Sequence, residues 1–411
     1  MKCSYLALCG ALTFAFPVSI VPACAEEAPA GESPVSILVV GQRDAPIEIE
    51  PRGLAVSLGQ DQFAAINAFN TEDLMKYAPN FFVRKRYSGD SNGVPGFRGT
   101  HSTQSARTLV MVDGFVVSNF LGNSFGFAPK WGVVGPGEVE QFDIVYGPYS
   151  SRYVGNSMGG IINITTRDPR ETEAFATVQG MVQPYDAFSK DGPWSLRLTG
   201  RFFRNTGQPM TFLGLIPVAG AGGTVVTGAI VDTEHVRATA AGTGIPGAPG
   251  NASTPYFAAQ SPAKITQEQA KLKVGYDDGS LTGQFLLAYW HNEDSQTAPD
   301  CYLRDAAGTF VCEGRVRIGA QSYTASGATF SKTVRDEVLA GLKLAAPLAG
   351  NTTARLAVST YQIAKSDGFT SNGYATGVSG GAGTLARQNP TGWWTADVQV
   401  ENKGGTVLVA A

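Results

Sequence analysis

Residues 139–153 read VEQFDIVYGPYSSRY, and this stretch decides the fold. It begins as a short apolar segment with strand propensity, and a Gly-Pro turn ends it. Two similar segments lie at 108–112 and 160–165, with glycine-containing turns between the three. Upstream, residues 61–77 carry apolar side chains at helix-like spacing. We therefore predict a small α/β globule over residues 53–168.

After Pro169 the sequence changes to strict alternation of apolar and polar residues. Three segments show it most clearly, and their apolar faces are Trp194, Leu196, Leu198 and Phe202; Ala270, Leu272, Val274 and Tyr276; and Trp394, Ala396, Val398 and Val400. Alternation over about ten residues is typical of transmembrane β-strands. A soluble β-sandwich produces the same pattern, so this feature favours a barrel without excluding the sandwich.

The lengths of the connections also favour a barrel. Tight turns alternate with long segments: the turns lie at 277–280, 347–351 and 402–405, and the long segments at 294–332 and 365–392. Short turns on one side and long loops on the other are typical of outer-membrane barrels. If the tight turns share one side, an odd number of strands must precede the strand at 265–276. We therefore predict a third strand near 210–218 and about eight strands in all.

The composition excludes several classes of protein. Charged residues make up 16% of the 411 residues, while the chain holds 50 glycines and 23 prolines, a balance typical of all-β chains. The net charge of −3 provides no global basic field, so nucleic acid is not an expected partner. No apolar stretch of the length of a membrane helix follows the N-terminus. A secreted β protein or a membrane β-barrel remains.

Residues 1–25 have the features of a secretory signal peptide, with Lys2 before an apolar core and Ala23-Cys24-Ala25 as the cleavage site. The same site also loosely resembles that of a lipoprotein. Of five cysteines, only Cys301 and Cys312 remain in the mature chain. In an exported protein we expect them to form one disulfide. A metal pair is the alternative, but no third or fourth ligand lies nearby.

Residues 26–52 form a linker that contains one apolar run at 35–40. Such a run has the β propensity and the backbone donors to add itself as a strand to the sheet edge of a partner. An ordinary first strand of the next domain fits the composition equally well.

Several motifs, in order and spacing, resemble those of the TonB-dependent outer-membrane receptors. Phe97-Arg98-Gly99 matches an Ile-Arg-Gly turn of the family, and residues 109–114 match its strand ending in Asp-Gly. The longest match covers residues 139–153 and continues to residue 166. Residues 37–43 resemble the TonB box and the segment after it. The order of elements matches over 26–411, which gives a plug domain at 53–168 and the N-terminal portion of a β-barrel at 169–411.

The resemblance implies a transmembrane antiparallel β-barrel, incomplete here, with an N-terminal α/β plug domain, in the outer membrane of a Gram-negative bacterium. It implies active uptake of a scarce small molecule, most often a ferric siderophore, with cobalamin or a carbohydrate as alternatives, and no enzyme activity or cofactor. TonB, energised by the inner-membrane proton gradient, would pair with Ile37, Leu38, Val39 and Val40 and pull on the plug. The partners would be TonB, outer-membrane lipid and the substrate.

The matched plug residues are expected to act structurally, through turns and close backbone approach. They are Arg98, Gly99, Asp113, Gly114, Glu140, Asp143, Gly147, Pro148, Ser150, Gly155, Gly159, Gly160 and Asn163. In the family, two arginines of such turns pair with barrel carboxylates. Here Arg98 occupies the first position and Tyr146 the second.

Substrate contacts are expected in plug loops near 85–92, 100–106 and 118–128. These loops offer Lys85, Arg86, Tyr87, His101, Gln104, Asn119, Phe120, Phe125 and Phe127. Cations beside aromatic rings suit an anionic or aromatic ligand. A charge cluster of this kind also fits an ordinary solvated surface.

Two enzyme motifs lack their structural context. Residues 122–126 match G-x-S-x-G, but Pro129 and Gly132 prevent the helix that should follow Ser124. Residues 242–247 match a dinucleotide fingerprint, but prolines prevent its helix too. A secreted hydrolase built on Ser124 and a soluble exported binding or adhesion module remain as alternatives to the receptor.

The chain differs from the family in length. The residues after the plug suffice for about eight to ten strands, whereas plugged transporters have about 22. A barrel of about eight strands is filled by its own side chains and could not enclose the plug. From the sequence we therefore expect a truncated product or a partial sequence.

Overall fold

The computed structural model describes residues 54–98, 104–147, 153, 155–176, 182–207, 212–231, 255–348, 350–402 and 405–410. The expected signal peptide, the linker and the TonB-box-like residues Ile37, Leu38, Val39 and Val40 lie outside these ranges.

The predicted globule is built on a five-stranded mixed sheet. In spatial order its strands are Ala55–Leu58, Val139–Tyr146, Gly160–Thr166, Thr108–Val112 and Phe115–Val116. Gly160–Thr166 runs parallel to Thr108–Val112, and the other pairs are antiparallel. A separate hairpin joins Phe81–Arg84 to Val94–Phe97. The three strands predicted from the sequence are present. Thr108–Val112 and Gly160–Thr166 are short, mostly apolar runs buried almost throughout, and Val139–Tyr146 buries its apolar residues.

The helical prediction over 61–77 was wrong in its extent. The structure has a short α-helix, Gln60–Phe63, and a 3₁₀ helix, Thr71–Met75, with a non-helical segment between them. Further short helices are Ser105–Arg107, Phe125–Phe127, Trp131–Val133, Pro136–Glu138 and Tyr374–Val378. The apolar spacing reflects burial of Phe63 and Leu74 in the plug core, not a continuous helix. None of the helices in the described ranges has the length and hydrophobicity needed to cross a membrane.

A ten-stranded sheet follows the plug, and all its pairs are antiparallel. Its strands are Glu173–Ala176, Val182–Asp191, Trp194–Thr206, Lys264–Asp277, Thr282–Gln296, Ser331–Leu348, Thr352–Ser371, Thr391–Asn402 and Gly405–Ala410, with Gly383–Gln388 beside Thr352–Ser371. As described, the first and last of these strands do not pair with each other. The predicted combination of an α/β plug with antiparallel barrel-type strands is confirmed.

The predicted odd number of strands before residue 264 is correct, but the predicted position of the third was wrong. Glu173–Ala176, Val182–Asp191 and Trp194–Thr206 are the three, whereas Phe212–Gly214 and Ile216–Val218 belong to other, smaller sheets. Two strands thus precede Trp194–Thr206 in the large sheet, which has ten described strands where about eight were predicted. Tight turns join strands at one end of the large sheet, called here the short-turn end. Long segments join them at the other, called here the long-loop end.

The two faces of the large sheet have opposite polarity, and the polar face is the buried one. On Trp194–Thr206, Trp194 and Leu198 are more than half exposed, while Arg197 and Arg201 are buried. The next strand buries Lys271 and Lys273 in the same way. A soluble sandwich buries the apolar face of each sheet. The distribution observed here is the reverse, because the inward polar side chains pack against the plug.

The segments of the long-loop end have a small core of their own. Two four-stranded sheets form there: Phe212–Gly214, Ile230–Val231, Pro255–Ala259 and Asp300–Cys301 make one, and Ile216–Val218, Thr224–Val225, Gly314–Ile318 and Gln321–Ala325 the other. Their core includes Leu215, Phe257, Leu303 and Val316. Cys301 and Cys312 are joined by a disulfide within this core, with Cα atoms 5.6 Å apart.

Candidate functional site

The plug loop 85–92 lies against the long-loop end of the large sheet. The Tyr87 hydroxyl donates to Asp294 Oδ2 at 2.9 Å. The Asn205 side-chain amide donates to Ser88 O at 3.0 Å, and that of Gln267 to Gly89 O at 2.9 Å. These hydrogen bonds fix the loop at the end of the sheet where the connections are long.

The other two predicted contact loops lie beside this one. The Arg86 guanidinium carbon is 5.4 Å from the centre of the Phe125 ring, which joins 85–92 to 118–128. The backbone N–H of Ala106 donates to Asn123 Oδ1 at 3.0 Å, which joins residue 106 to the same loop. The structure thus brings the described residues of the three loops together, as a substrate-binding surface would require.

Within this loop cluster, several predicted contact residues are already engaged by the protein. Lys85 pairs with Asp73, and Arg86 forms two hydrogen bonds to the Asp90 carboxylate. Asn119 is buried, and Phe120 packs 6.0 Å from the Trp393 ring. His101 lies outside the described residues. Among the other predicted contact residues, Arg86 is exposed, and Gln104, Phe125 and Phe127 are partly exposed.

Beneath the loop cluster, Glu72 is buried beside Lys85. Its Oε1 lies 3.8 Å from Lys85 Nζ, and the Asn70 side-chain amide donates to the same oxygen. Burial raises the pKa of Glu72 to about 6, although Lys85 opposes that rise. The folded protein therefore binds the Glu72 proton more tightly than the unfolded chain does.

We expect Glu72→Gln to stabilise the protein at neutral pH. The stability that protonated Glu72 contributes is complete below its ordinary pKa of 4.5 and is lost as pH rises through about 6. Above pH 7 the variant should therefore exceed the wild type by about 2 kcal/mol, and near pH 4 the two should coincide. Urea unfolding at both pH values measures this difference. Exposed Glu171→Gln is the matched control, and an equal Glu72→Gln effect at both pH values would contradict the argument.

The Asp-Gly motif residues hold the plug to the sheet. Asp113 and Gly114 both have positive φ, 49° and 75°, which the tight turn requires. The Asp113 carboxylate accepts from the Thr166 N–H at 2.8 Å and the Thr166 hydroxyl at 2.7 Å, and lies 3.5 Å from Lys273 Nζ on the sheet. Burial would raise the pKa of Asp113, but Lys273, Lys271 and Lys343 together hold it at about 2.

A second buried carboxylate, Glu138, also forms an ion pair between plug and sheet. Its partner is Lys271, and both side chains are 1% exposed. The Gln269 side-chain amide donates to Glu138 Oε1 at 2.9 Å, and the Gly135 N–H donates to the same oxygen. Burial would raise the pKa of Glu138, but Lys271 and then Arg197 lower it, so the group is ionised.

A third pair has the opposite polarity. Lys130 of the plug lies 2.5 Å from Glu337 Oε1 of the sheet, and the Tyr361 hydroxyl donates to the other Glu337 oxygen. The Tyr361 ring stacks on Trp393, with ring centres 4.7 Å apart. The three pairs together are called here the plug–sheet ion pairs.

Arg98 does not join these ion pairs. Its guanidinium carbon lies 5.5 Å from the centre of the Tyr146 ring, and within the described part of the chain it forms no ion pair with a sheet carboxylate. Tyr146 in turn donates to Pro79 O and packs against Phe97. The arginine–carboxylate contact implied by the resemblance is therefore not seen for Arg98, whose guanidinium lies over the Tyr146 ring instead.

Most of the other matched glycines that are described lie in close contact with neighbouring backbone. A Cβ at Gly147 would lie 2.6 Å from Met158 O, and one at Gly159 would lie 2.8 Å from Arg107 O, so both positions require close backbone approach. Gly160 is similarly close to Val145 O, whereas Gly155 has open space around it. Surface or local contacts are made by Glu140, Asp143 and Asn163. Gly99, Pro148 and Ser150 lie outside the described residues.

Sequence reasoning missed Glu138, Lys130 and Glu337, and it did not assign a role to the sheet lysines. A signal was present, because Gln269, Lys271 and Lys273 share the polar face of one strand. Lysines repeated on a face that points into a barrel need carboxylate partners. The pattern does not show which carboxylates of the plug pair with these lysines.

The other candidate chemistries find no support in this geometry. Ser124 follows a turn and precedes the 3₁₀ helix Phe125–Phe127, so the strand and helix of a hydrolase elbow are not formed around it. In the ranges described here, no three His, Cys, Asp or Glu side chains are grouped to hold a metal ion.

Comparison with known proteins identifies the plug. The family model described as the TonB-dependent Receptor Plug Domain matches residues 51–161. Residues 51–161 therefore match a plug domain of this kind, and antiparallel barrel-type strands follow them in the chain. No curated protein matches the chain.

Solved structures of receptors and transporters align with most of the chain. The ferripyoverdine receptor of Pseudomonas aeruginosa aligns over 87% of this chain at 10% identity and a TM-score of 0.49. The unliganded ferric citrate transporter aligns over 87% of this chain, at 12% identity and a TM-score of 0.42. The ferric yersiniabactin uptake receptor of Yersinia pestis aligns over 85% of this chain, at 12% identity and a TM-score of 0.36. The aligned shares of these three structures are 41%, 55% and 62%, so the chain spans about half their length.

Proposed function

We propose that the chain supplies the plug and adjoining sheet of an outer-membrane receptor for TonB-dependent uptake of a scarce small molecule. The observation that carries the proposal is the plug domain at residues 51–161. The reversed polarity of the sheet supports it, since exposed Trp194, Leu198 and Trp394 suit contact with lipid.

The substrate in this proposal is a ferric siderophore, with cobalamin and a carbohydrate as the other members of the class. Among its described residues, the loop cluster places the Arg86 guanidinium beside the rings of Tyr87 and Phe125. A cation over aromatic faces favours an anionic ligand with aromatic groups. Such a ligand would bind beside the Arg86–Asp90 contact or replace it, since Asp90 accepts hydrogen bonds from Nε and Nη2 along one edge of the guanidinium.

TonB would engage residues 35–40 by strand addition, which depends on the backbone N–H and C=O groups of that run. Proline removes a backbone donor and fixes φ, so it disrupts an added strand. We therefore expect Val39→Pro to abolish capture of the mature chain by the periplasmic domain of TonB, measured with the chain in outer-membrane vesicles. Proline at Glu48, in the linker beyond the run, is the matched control and should leave capture unchanged.

The same preparation separates the receptor from the soluble binding module. The receptor should fractionate with the outer membrane and need detergent for extraction. A mature chain that is monomeric and soluble without detergent, and that TonB does not capture, would favour the exported binding module. Equal capture of the Val39→Pro and wild-type chains would place the TonB contact elsewhere.

A further inference from the structure

A cavity of about 600 Å³ lies at the short-turn end, between the plug strand Thr108–Val112 and the inner face of the large sheet. It lies at the opposite end of the sheet from the loop cluster, and the proposed uptake function does not use it. Its walls combine apolar plug residues, Leu109 and Met111, with charged and amide side chains of the sheet.

The sheet side of this cavity carries polar atoms without partners. Lys343 is 6% exposed and Gln399 is 8% exposed, and within the described residues neither Lys343 Nζ nor Gln399 Oε1 has a hydrogen-bond partner. The side-chain nitrogen of Gln284 is buried and unpartnered in the same sense. Asp113 acts on the Lys343 ammonium from a distance, but no described group accepts its hydrogen bonds. A buried ammonium without an acceptor is costly, so a group that accepts its hydrogen bonds would be bound strongly.

The strand register places these groups in one row. Gln284 is opposite Lys343, Lys343 is opposite Ala357, and Ala357 is opposite Asp397. Lys343 and Asp397 are therefore separated by two strand spacings, about 10 Å between their backbones. Ala357, with a short side chain, leaves room between them. The structure shows no ion pair for Asp397 among the residues it describes.

The row thus has a donor end and an acceptor end. Lys343 and Gln284 offer N–H groups at one end, and Asp397 with Gln399 Oε1 offers oxygens at the other. The Phe115 ring of the plug lies 4.6 Å from Lys343 Nζ and closes the site from the plug side. A plain anion would satisfy only the first end and would lie near an uncompensated carboxylate.

We propose that this cavity binds a small organic zwitterion of the size of a dipeptide. The carboxylate of the ligand accepts hydrogen bonds from Lys343 and Gln284, and its ammonium donates to Asp397 and Gln399. Paired opposite charges in a buried site bind more tightly than either charge alone.

The test uses glycylglycine as the probe and the full mature chain in detergent, with folding checked by its β circular dichroism. Saturation-transfer NMR and calorimetry should show one site for glycylglycine. On the wild type, N-acetylation and C-terminal amidation of the probe should each weaken binding at least about tenfold. Lys343→Gln and Asp397→Asn should each do the same.

Lys332→Gln is the matched control, because Lys332 lies on the same strand and pairs with exposed Glu293. Binding of acetate as tight as that of glycylglycine would overturn the proposal in favour of a simple anion site. Equal binding of free and doubly blocked probe, or no binding by the folded wild type, would overturn it outright. Because the blocked probes are measured on the wild type, misfolding of a variant leaves the test decisive.

Discussion

Replacing Glu138 by alanine is expected to destabilise the folded chain by about 3–5 kcal/mol. The carboxylate is 1% exposed, and its removal leaves Lys271, also 1% exposed, without its ion-pair partner. Arg197, which is equally buried, would lose the nearby negative charge. An uncompensated buried charge is among the most destabilising changes a single substitution makes. Urea unfolding of the full chain, followed by tryptophan fluorescence, measures the loss.

Glu140→Ala is the matched control, two residues along the same chain. Glu140 pairs with Arg170 at 3.2 Å, but the Arg170 side chain is 67% exposed. An exposed pair contributes less than about 1 kcal/mol, so this variant should unfold close to the wild type. The double variant Glu138→Leu, Lys271→Leu should recover most of the loss, since apolar residues can replace a buried pair. Similar losses for Glu138→Ala and Glu140→Ala would show that burial does not set the effect.

The contrast between these two glutamates shows how far sequence reasoning reaches. Glu140 lies inside the motif that identifies the plug, and Glu138 lies just before it. The motif predicts a strand and a turn, because those depend on local backbone preferences and on residues close in sequence. Which glutamate meets Lys271 depends on how a strand more than a hundred residues later packs against the plug.

In the large sheet, too, features set by nearby residues were predicted from the sequence, and those set by long-range strand pairing were not. The alternation at Trp194–Thr206 and Lys264–Asp277 predicts both strands and both faces, because a strand places successive side chains on opposite sides. The third strand was expected near 210–218 only because an odd number of strands had to precede the strand at 265–276. Phe212–Gly214 and Ile216–Val218 instead pair with Pro255–Ala259 and Gln321–Ala325, and such long-range pairing leaves no periodic signal in the sequence.

The candidate site was predictable as a set of loops but not as a set of free side chains. The turn signals place 85–92 and 118–128 between strands, and the structure brings them together through Arg86 and Phe125. Whether a cation is available to a ligand depends on its nearest carboxylate. For Arg86 that is Asp90, four residues away, and for Lys85 it is Asp73. Such pairing needs the folded backbone.

Packing between plug and sheet provides the second large expected effect, at Gly132. A Cβ on Gly132 would lie 2.3–2.5 Å from three ring atoms of Trp290, which is 3% exposed on the inner face of the sheet. The indole is rigid and enclosed, so neither side can yield without moving the plug. Gly132→Val should therefore destabilise the docked plug by about 3 kcal/mol, the upper end of typical overpacking effects.

A double-mutant cycle with Trp290→Ala isolates this contact. In the Trp290→Ala background the space beside residue 132 is open, so Gly132→Val should cost less than about 1 kcal/mol there. Gly126→Val is the control for valine in a nearby turn, because the nearest atom to a Cβ at Gly126 is Ser124 Oγ at 4.0 Å. That variant should fall within about 0.5 kcal/mol of the wild type. If Gly132→Val lowers the free energy of unfolding equally in both backgrounds, the strain lies in the plug backbone and not in its contact with Trp290.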